Sequence, residues 1–379
     1  MKSNKIIRGL AIFLSIFVIG GIGGVIINNY VLPHIISWSW VSEKGFLDAT
    51  AERTTIIEKT EQIVVQEDDS VEKSIGQPST TTATIIFPKR VTGSVTEEEI
   101  VVPGVLVTND GVIATYREDG AILPTPRVIF NNGDRHEVDI LGYDSITNLL
   151  FYKVKKSTNT PSVIFTNSDD IRTGKKIILL KNGITRNESE IDFAVLAGRH
   201  YTLNFGGTQA TTEKWEGVFA ITSGATRDFI GAPVVAYNGE MVGMLGSVTE
   251  EEGTQLFVLP ANVIRQSLAK VSAQKLTTQA RLGVAYTSLT PENQGSNSLA
   301  LDKGALITEL LTRTSQINEK FTAKKINLKV GDVVTKIDNT EVDPKHSLSA
   351  LIYNKQVGDQ TSITIIRDGR EQVLTTNFE

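Results

Sequence analysis

The chemistry open to this chain is limited first by the side chains it lacks. Its 379 residues include no cysteine and four histidines, His34, His136, His200 and His346. The missing thiols remove disulfides, thiolate nucleophiles and cysteine-based zinc sites together. A hydroxyl nucleophile such as Ser223 or Thr226 needs an adjacent base, and no imidazole lies near either in sequence. His136 follows the Asn132-Gly133-Asp134-Arg135 turn, and His200 lies in a later connecting region. His34 abuts an apolar N-terminal run, and His346 belongs to a C-terminal helical stretch. No metal site and no cofactor is expected. The balance of 38 basic against 43 acidic residues, net −5, supplies no excess of positive charge for nucleic acid.

The elements that would position chemistry read as follows. Gly9 to Ile27 is an uncharged apolar run of the length that spans ~30 Å of hydrocarbon. Lys2, Lys5 and Arg8 precede it, so the positive-inside rule places residues 1–8 in the cytoplasm and the remainder outside the cell membrane. A transmembrane helix is expected over 9–31, retained because NNYVLPHIISWSW offers no small-x-small cleavage site. Residues 32–82 are polar, with acidic and Thr-rich patches, and read as a tether in which a short helix is an alternative. From Ala83 the texture changes to short β-branched runs broken by turns at Asn109-Asp110-Gly111, Asn132-Gly133 and Asn238-Gly239. This mainly β pattern predicts barrels over 83–272 rather than a layered α/β sheet. Pro260 opens one helix, with Ile264, Leu268 and Val271 on one face. A linker at 273–280 leads to an α+β domain over 281–379, whose helix carries Leu348, Leu351 and Ile352.

Several phrases in fixed order carry a specific resemblance. They are Gly104-Val105-Leu106-Val107, Thr108-Asn109-Asp110-Gly111-Val112-Ile113, Leu141-Gly142-Tyr143-Asp144, Gly231-Ala232-Pro233-Val234-Val235 and Pro260-Ala261-Asn262-Val263-Ile264. Together they resemble the HtrA/Deg family: a trypsin-like double β-barrel followed by a PDZ domain. The resemblance covers about four-fifths of the chain and implies a serine endopeptidase of protein quality control.

At the catalytic positions the chain departs from that family. The stretch that carries the family's general base reads Ala114-Thr115-Tyr116-Arg117-Glu118-Asp119, so Glu118 falls where the His belongs. The Thr-Asp-Leu-Ala motif reads Thr147-Asn148-Leu149-Leu150, so Asn148 replaces the acid. The Gly-Asn-Ser-Gly-Gly-Pro motif reads Asp228-Phe229-Ile230-Gly231-Ala232-Pro233, so Ile230 replaces the nucleophile. Ile230 has no hydroxyl, and Asp228 puts a carboxylate beside the oxyanion position, against stabilisation worth ~3–4 kcal/mol per donor. The expectation is a pseudoprotease with no catalytic residues. The alternative is an endopeptidase with a non-standard nucleophile, such as Ser223, or a Ser-Lys or Thr-based mechanism.

By resemblance, Arg281-Leu282-Gly283-Val284 matches the carboxylate-binding loop of the PDZ domain. There Gly283 permits close backbone approach and Arg281 adds charge, with Leu348, Leu351 and Ile352 supplying a side-chain pocket and core. The implied ligand is a protein C-terminus or unfolded polypeptide, bound as an added strand. A homotrimer, or a mixed oligomer with active paralogues, is implied by resemblance. Thr312 to Asn327 is longer than the family's usual turn and is a candidate cover for the groove.

Overall fold

The computed structural model describes residues 3–27, 30, 67–87, 91–92, 95–96, 100–118, 126–156, 161–183, 188–201, 210–250, 253–276, 278–291, 301–311 and 321–378. The chain divides into two compact units, 1–64 and 65–379. In the first, α1 runs Ser3–Ile26 and exposes Ile12, Phe13, Leu14, Ile16, Phe17 and Ile19. Counting only residues whose side chains are described, no helix is long and apolar enough to cross a membrane. Residues 31–66, the end of the expected transmembrane helix and most of the expected 32–82 tether, lie outside the described residues. The last part of the expected tether, Glu67–Thr81, is helical (α2). Its Val71 and Ile75 pack over Ile178, Leu180 and Val235 of the body.

The second unit begins with β1 (Thr82–Phe87), followed by a small ribbon of β2 (Val91–Thr92) and β3 (Val95–Thr96). Then come β4 (Ile100–Leu106), β5 (Val112–Tyr116), β6 (Arg127–Phe130), β7 (Arg135–Asp144) and β8 (Leu149–Val154). These close a barrel in the order β1-β4-β5-β8-β7-β6. A second barrel uses β9 (Lys176–Asn182), β10 (Ser189–Tyr201), β12 (Val218–Ser223), β13 (Pro233–Ala236), β14 (Met241–Glu250) and β15 (Gly253–Pro260). The three Asn/Asp-Gly turns fall between β4 and β5, β6 and β7, and β13 and β14, with Gly111, Gly133 and Gly239 at positive φ. Each barrel has its own apolar core. A third cluster, with Val105, Tyr116, Phe151, Met244, Phe257 and Ile264, binds the barrels to each other and to α3 (Ala261–Ser272). Pro260 takes the position just before α3, at φ −62°, where its fixed φ costs nothing and no helical N–H is lost.

The C-terminal domain contains β16 (Val284–Ser288), β17 (Ala305–Leu310), α4 (Thr322–Lys325), β18 (Val333–Ile337), β19 (Thr340–Glu341), α5 (Leu348–Tyr353), β20 (Gln360–Arg367) and β21 (Arg370–Asn377). The β20–β21 hairpin turns at Asp368-Gly369, both at positive φ. The sheet order is β11-β16-β17-β18-β20-β21, with β19 beside β18. Its first member is not from this domain: β11 (Ala210–Thr211) comes from the connection between β10 and β12 of the second barrel. A buried knot fixes the domain to the barrels. Asp144, at the end of β7, accepts hydrogen bonds from Ser267 Oγ on α3 (2.6 Å), Tyr353 Oη on α5 and the Ile146 N–H (3.1 Å).

Candidate functional site

Three of the four positions matched to the catalytic motifs meet on one cleft of about 300 Å³ between the barrels. Its walls include Pro103, Tyr116, Glu118, Asp228, Ile230 and Ser247. Glu118 follows β5 and is held by β14 across the cleft. It accepts from the Thr249 N–H (2.8 Å), Ser247 Oγ (3.2 Å) and Thr249 Oγ1 (3.2 Å). Asn148 lies behind Tyr116, in the left-handed region at φ 58°, which asparagine tolerates better than most residues. Its Nδ2 donates to Tyr116 Oη (3.2 Å), and its Oδ1 accepts from Tyr143 Oη (2.9 Å) and Lys214 Nζ (3.1 Å). Tyr116 Oη in turn donates to the Ser247 carbonyl (2.8 Å). Burial holds the Tyr116 phenol well above its ordinary range. The same effect, desolvation, lowers Lys214, against the opposing fields of Glu118 and Asp144.

Ile230 packs its side chain against the apolar cluster between the barrels. Burying such a group is worth about 1.5–3 kcal/mol when complete, so this position now contributes packing. Its N–H donates to Arg227 O at 3.1 Å, closing a 3₁₀ turn over Arg227–Phe229. That amide is therefore committed inside the turn. Gly231 follows at φ +93°, where an added Cβ would lie 2.6 Å from both Pro103 O and Thr115 Oγ1; only glycine fits. Asp228 is bound by Lys181 and Thr226. Partial burial raises its carboxyl, and the hydrogen bonds from Lys181 and Thr226 outweigh this, leaving it below the ordinary 3.8. Ser223 donates to Asp192 Oδ2 (2.8 Å) and accepts from the Ala225 N–H (2.9 Å); its partner is a carboxylate rather than an imidazole.

A second candidate site lies in the C-terminal domain, between β16 and α5. Leu282 and Val284 are fully buried in the domain core, as are Leu348 and Ile352, while Leu351 is partly buried at its margin. The α5 residues that face the groove are Ser349, whose Oγ accepts from the Glu216 N–H (3.2 Å), and Tyr353, edge-on to Trp215 at 5.3 Å. Gly283 has φ +77°, and an added Cβ would strike the Phe321 ring at 2.1 Å. Residues 312–320 of the expected cover lie outside the described residues. The segment seated in the groove is instead 210–216. Ala210 pairs with Tyr286 and Thr211 with Ala285, antiparallel. Glu213 and Glu216 are 7% exposed. Glu216 accepts from Tyr286 Oη and from Ser288 Oγ (2.9 Å). Sequence reasoning overlooked Glu213, Lys214 and Glu216. Two acidic residues flanking Lys214-Trp215 in a connecting region look solvated until a strand more than seventy residues away covers them.

Among the described residues no cluster of His, Cys, Asp and Glu has the geometry of a metal site.

Comparison with known proteins agrees with both halves. Residues 91–244 match the family model of the trypsin-like peptidase domain, and residues 280–378 match the PDZ domain. The serine protease Do-like HtrB of Bacillus subtilis (strain 168) is 24% identical over 279 residues, covering 72% of this chain and 58% of the relative. The periplasmic serine endoprotease DegP of Escherichia coli (strain K12) is 21% identical over 279 residues, covering 73% and 54%. The chain thus spans little more than half the length of these relatives. Among solved structures, the HtrA-type protease AlgW with tripeptide superposes with a TM-score of 0.63 at 19% identity, covering 81% of this chain and 96% of that one. AlgW with decapeptide gives 0.60 at 17%, covering 81% and 97%. These two structures share the fold.

Proposed function

We propose that this chain, built on the trypsin-like peptidase and PDZ domains that support its placement with the HtrA/Deg family, is a membrane-anchored pseudoprotease that binds peptides rather than cutting them. One observation carries the reading. At the places of nucleophile, base and acid stand Ile230, Glu118 and Asn148, and each is committed to other work: Ile230 to apolar packing, Glu118 to β14, Asn148 to two tyrosines and Lys214. Acyl transfer needs a hydroxyl with an adjacent base, and an orienting acid that stabilises the resulting imidazolium. None of the three side chains supplies those functions. The Ile230 amide, donating to Arg227 O, is also withdrawn from any oxyanion.

What remains suited to function is the groove beside β16, whose sheet edge accepts a strand and whose Arg281-Leu282-Gly283-Val284 loop offers backbone N–H groups beside a guanidinium. Peptide ligands bound to AlgW are consistent with this use of the fold. In this reading the body lies outside the cell membrane and is anchored by the apolar run that α1 carries, with its exposed Ile and Phe side chains. It acts as a scaffold or regulator of envelope proteins, as a homotrimer or in mixed oligomers with active paralogues.

The test uses membranes carrying the full chain, washed in alkaline carbonate and then incubated with unfolded casein. The chain should stay in the pellet and the casein should stay intact. Release of the chain into the wash would remove the anchor from the account. Casein fragments that disappear in a Ser223→Ala variant would establish the alternative, an endopeptidase with a displaced nucleophile.

A further inference from the structure

The groove between β16 and α5 is filled from within the chain. After the antiparallel pairing of β11 on β16, the Thr212 N–H donates to Val284 O at 3.0 Å, extending the added strand by one residue. The loop ahead of β16 then finds its acceptors on the same segment. Thr212 Oγ1 accepts from the Gly283 and Val284 N–H groups, both at 3.2 Å. Glu213 Oε1 accepts from the Gly283 N–H at 3.0 Å, and Glu213 Oε2 meets Arg281 Nη1 at 2.8 Å. A carboxylate therefore sits on the loop where the free end of a strand-added peptide would place one. It is a side chain, and its backbone continues to Lys214.

Burial makes this a committed arrangement. Thr212 is 1% and Glu213 7% exposed, and Arg281 retains 12% of its side-chain surface. A carboxylate is taken out of water only where its charge and lone pairs are met, and here a guanidinium and a backbone N–H meet them. The groove thus recognises three things together: an extended backbone, a hydroxyl-bearing residue at the loop, and a carboxylate beyond it.

We infer that Ala210–Glu213 is an internal ligand of this groove, and that the external ligand is a polypeptide with a free C-terminal carboxylate that must displace it. The inference rests on the reading of the groove as a site for peptide C-termini and adds to it the internal competitor. Because the groove is open only while the segment is detached, the apparent affinity of any external peptide is reduced by the closed fraction.

The experiment measures fluorescence anisotropy of fluorescein-Gln-Ala-Thr-Thr, a copy of residues 209–212 ending in a free carboxylate, on the detergent-solubilised full chain. Its C-terminal amide is the control. The wild type should bind the acid weakly. A Thr212→Pro, Glu213→Gln variant loses the strand N–H and the charge, and should bind the acid at least about tenfold more tightly with no gain for the amide. Equal affinity of wild type and variant would overturn the internal ligand and leave the peptide site standing. No binding by a variant that keeps the wild-type circular dichroism and melting temperature would overturn the peptide site as well. If that variant does not fold, a disulfide lock gives the same answer. The chain has no cysteine of its own, so Thr211→Cys with Ala285→Cys joins one cross-strand pair. The reduced lock should bind at least about tenfold more tightly than the oxidised one; equal binding in the two states would sink the inference.

Discussion

The positions matched to the catalytic motifs are held by packing and by hydrogen bonds. A serine at position 230 would lose part of the burial that Ile230 now contributes, while the base position is already occupied by a carboxylate tied to Ser247 and Thr249. Restoring the three side chains should therefore fail to restore the reaction. An Ile230→Ser, Glu118→His, Asn148→Asp variant is expected to show no casein turnover above the wild type, because the residue-230 amide still donates to Arg227 O. Oxyanion stabilisation of ~3–4 kcal/mol per donor is missing from such a site. Turnover well above background would mean that the 3₁₀ turn opens readily and that side chains alone separate this chain from an active enzyme. The register of Glu118, Asn148 and Ile230 against the catalytic motifs was read from the sequence, where Asp-Gly and Gly-x-Pro turns anchor it. The reach of Asp228 to Lys181 was not legible, because forty-seven residues separate the partners. A carboxylate expected to face an oxyanion is satisfied by a lysine instead.

Among the elements, helix α3 carries a buried charge, Lys270, to its junction with α5. Lys270 on α3 lies 3.4 Å above the Tyr353 ring of α5 and donates to the Tyr353 carbonyl. Burial lowers its pKa from 10.5 to about 8, with Asp144 opposing the shift. The folded state therefore gives up this proton before the unfolded chain does. Between about pH 8 and 10.5 the unfolded chain holds more protons, so this group makes stability rise with pH through that window. Urea midpoints of the wild type and Lys270→Met should move apart in favour of the wild type from pH 7.5 to pH 10. A constant difference would show that the ammonium is solvated at this junction. The elements of both barrels and of the C-terminal domain follow from alternating β-branched runs and their turns, and α3 from its apolar face. Strand β11 does not. It is two residues long, and its partner β16 lies in the next domain, so no local periodicity marks it. The helical part of the tether, α2, carries Pro78 and a polar surface; its Val71 and Ile75 gain a partner only once the second barrel has formed.

For the whole molecule, the barrels, the junction and the C-terminal sheet form one compact unit from Val65 onward, and that unit bears on two different surfaces. One is the inter-barrel cleft, on which Glu118, Asp228 and Ile230 meet. The other is the groove beside β16, where β11, from the connection between β10 and β12, already lies. Segment 210–216 reaches Asn148, which lies behind the cleft's Tyr116, through Lys214, and the loop ahead of β16 through Glu213 to Arg281. It ties the neighbourhood of the cleft and the groove into a single arrangement. The central claim is that this arrangement holds no activated nucleophile. It is tested most directly by the intact mass of the full chain after exposure to a fluorophosphonate, which traps any serine with an adjacent base. The mass is expected to stay unchanged. A single stoichiometric adduct, absent from Ser223→Ala or from any other one-residue hydroxyl variant, would contradict the claim.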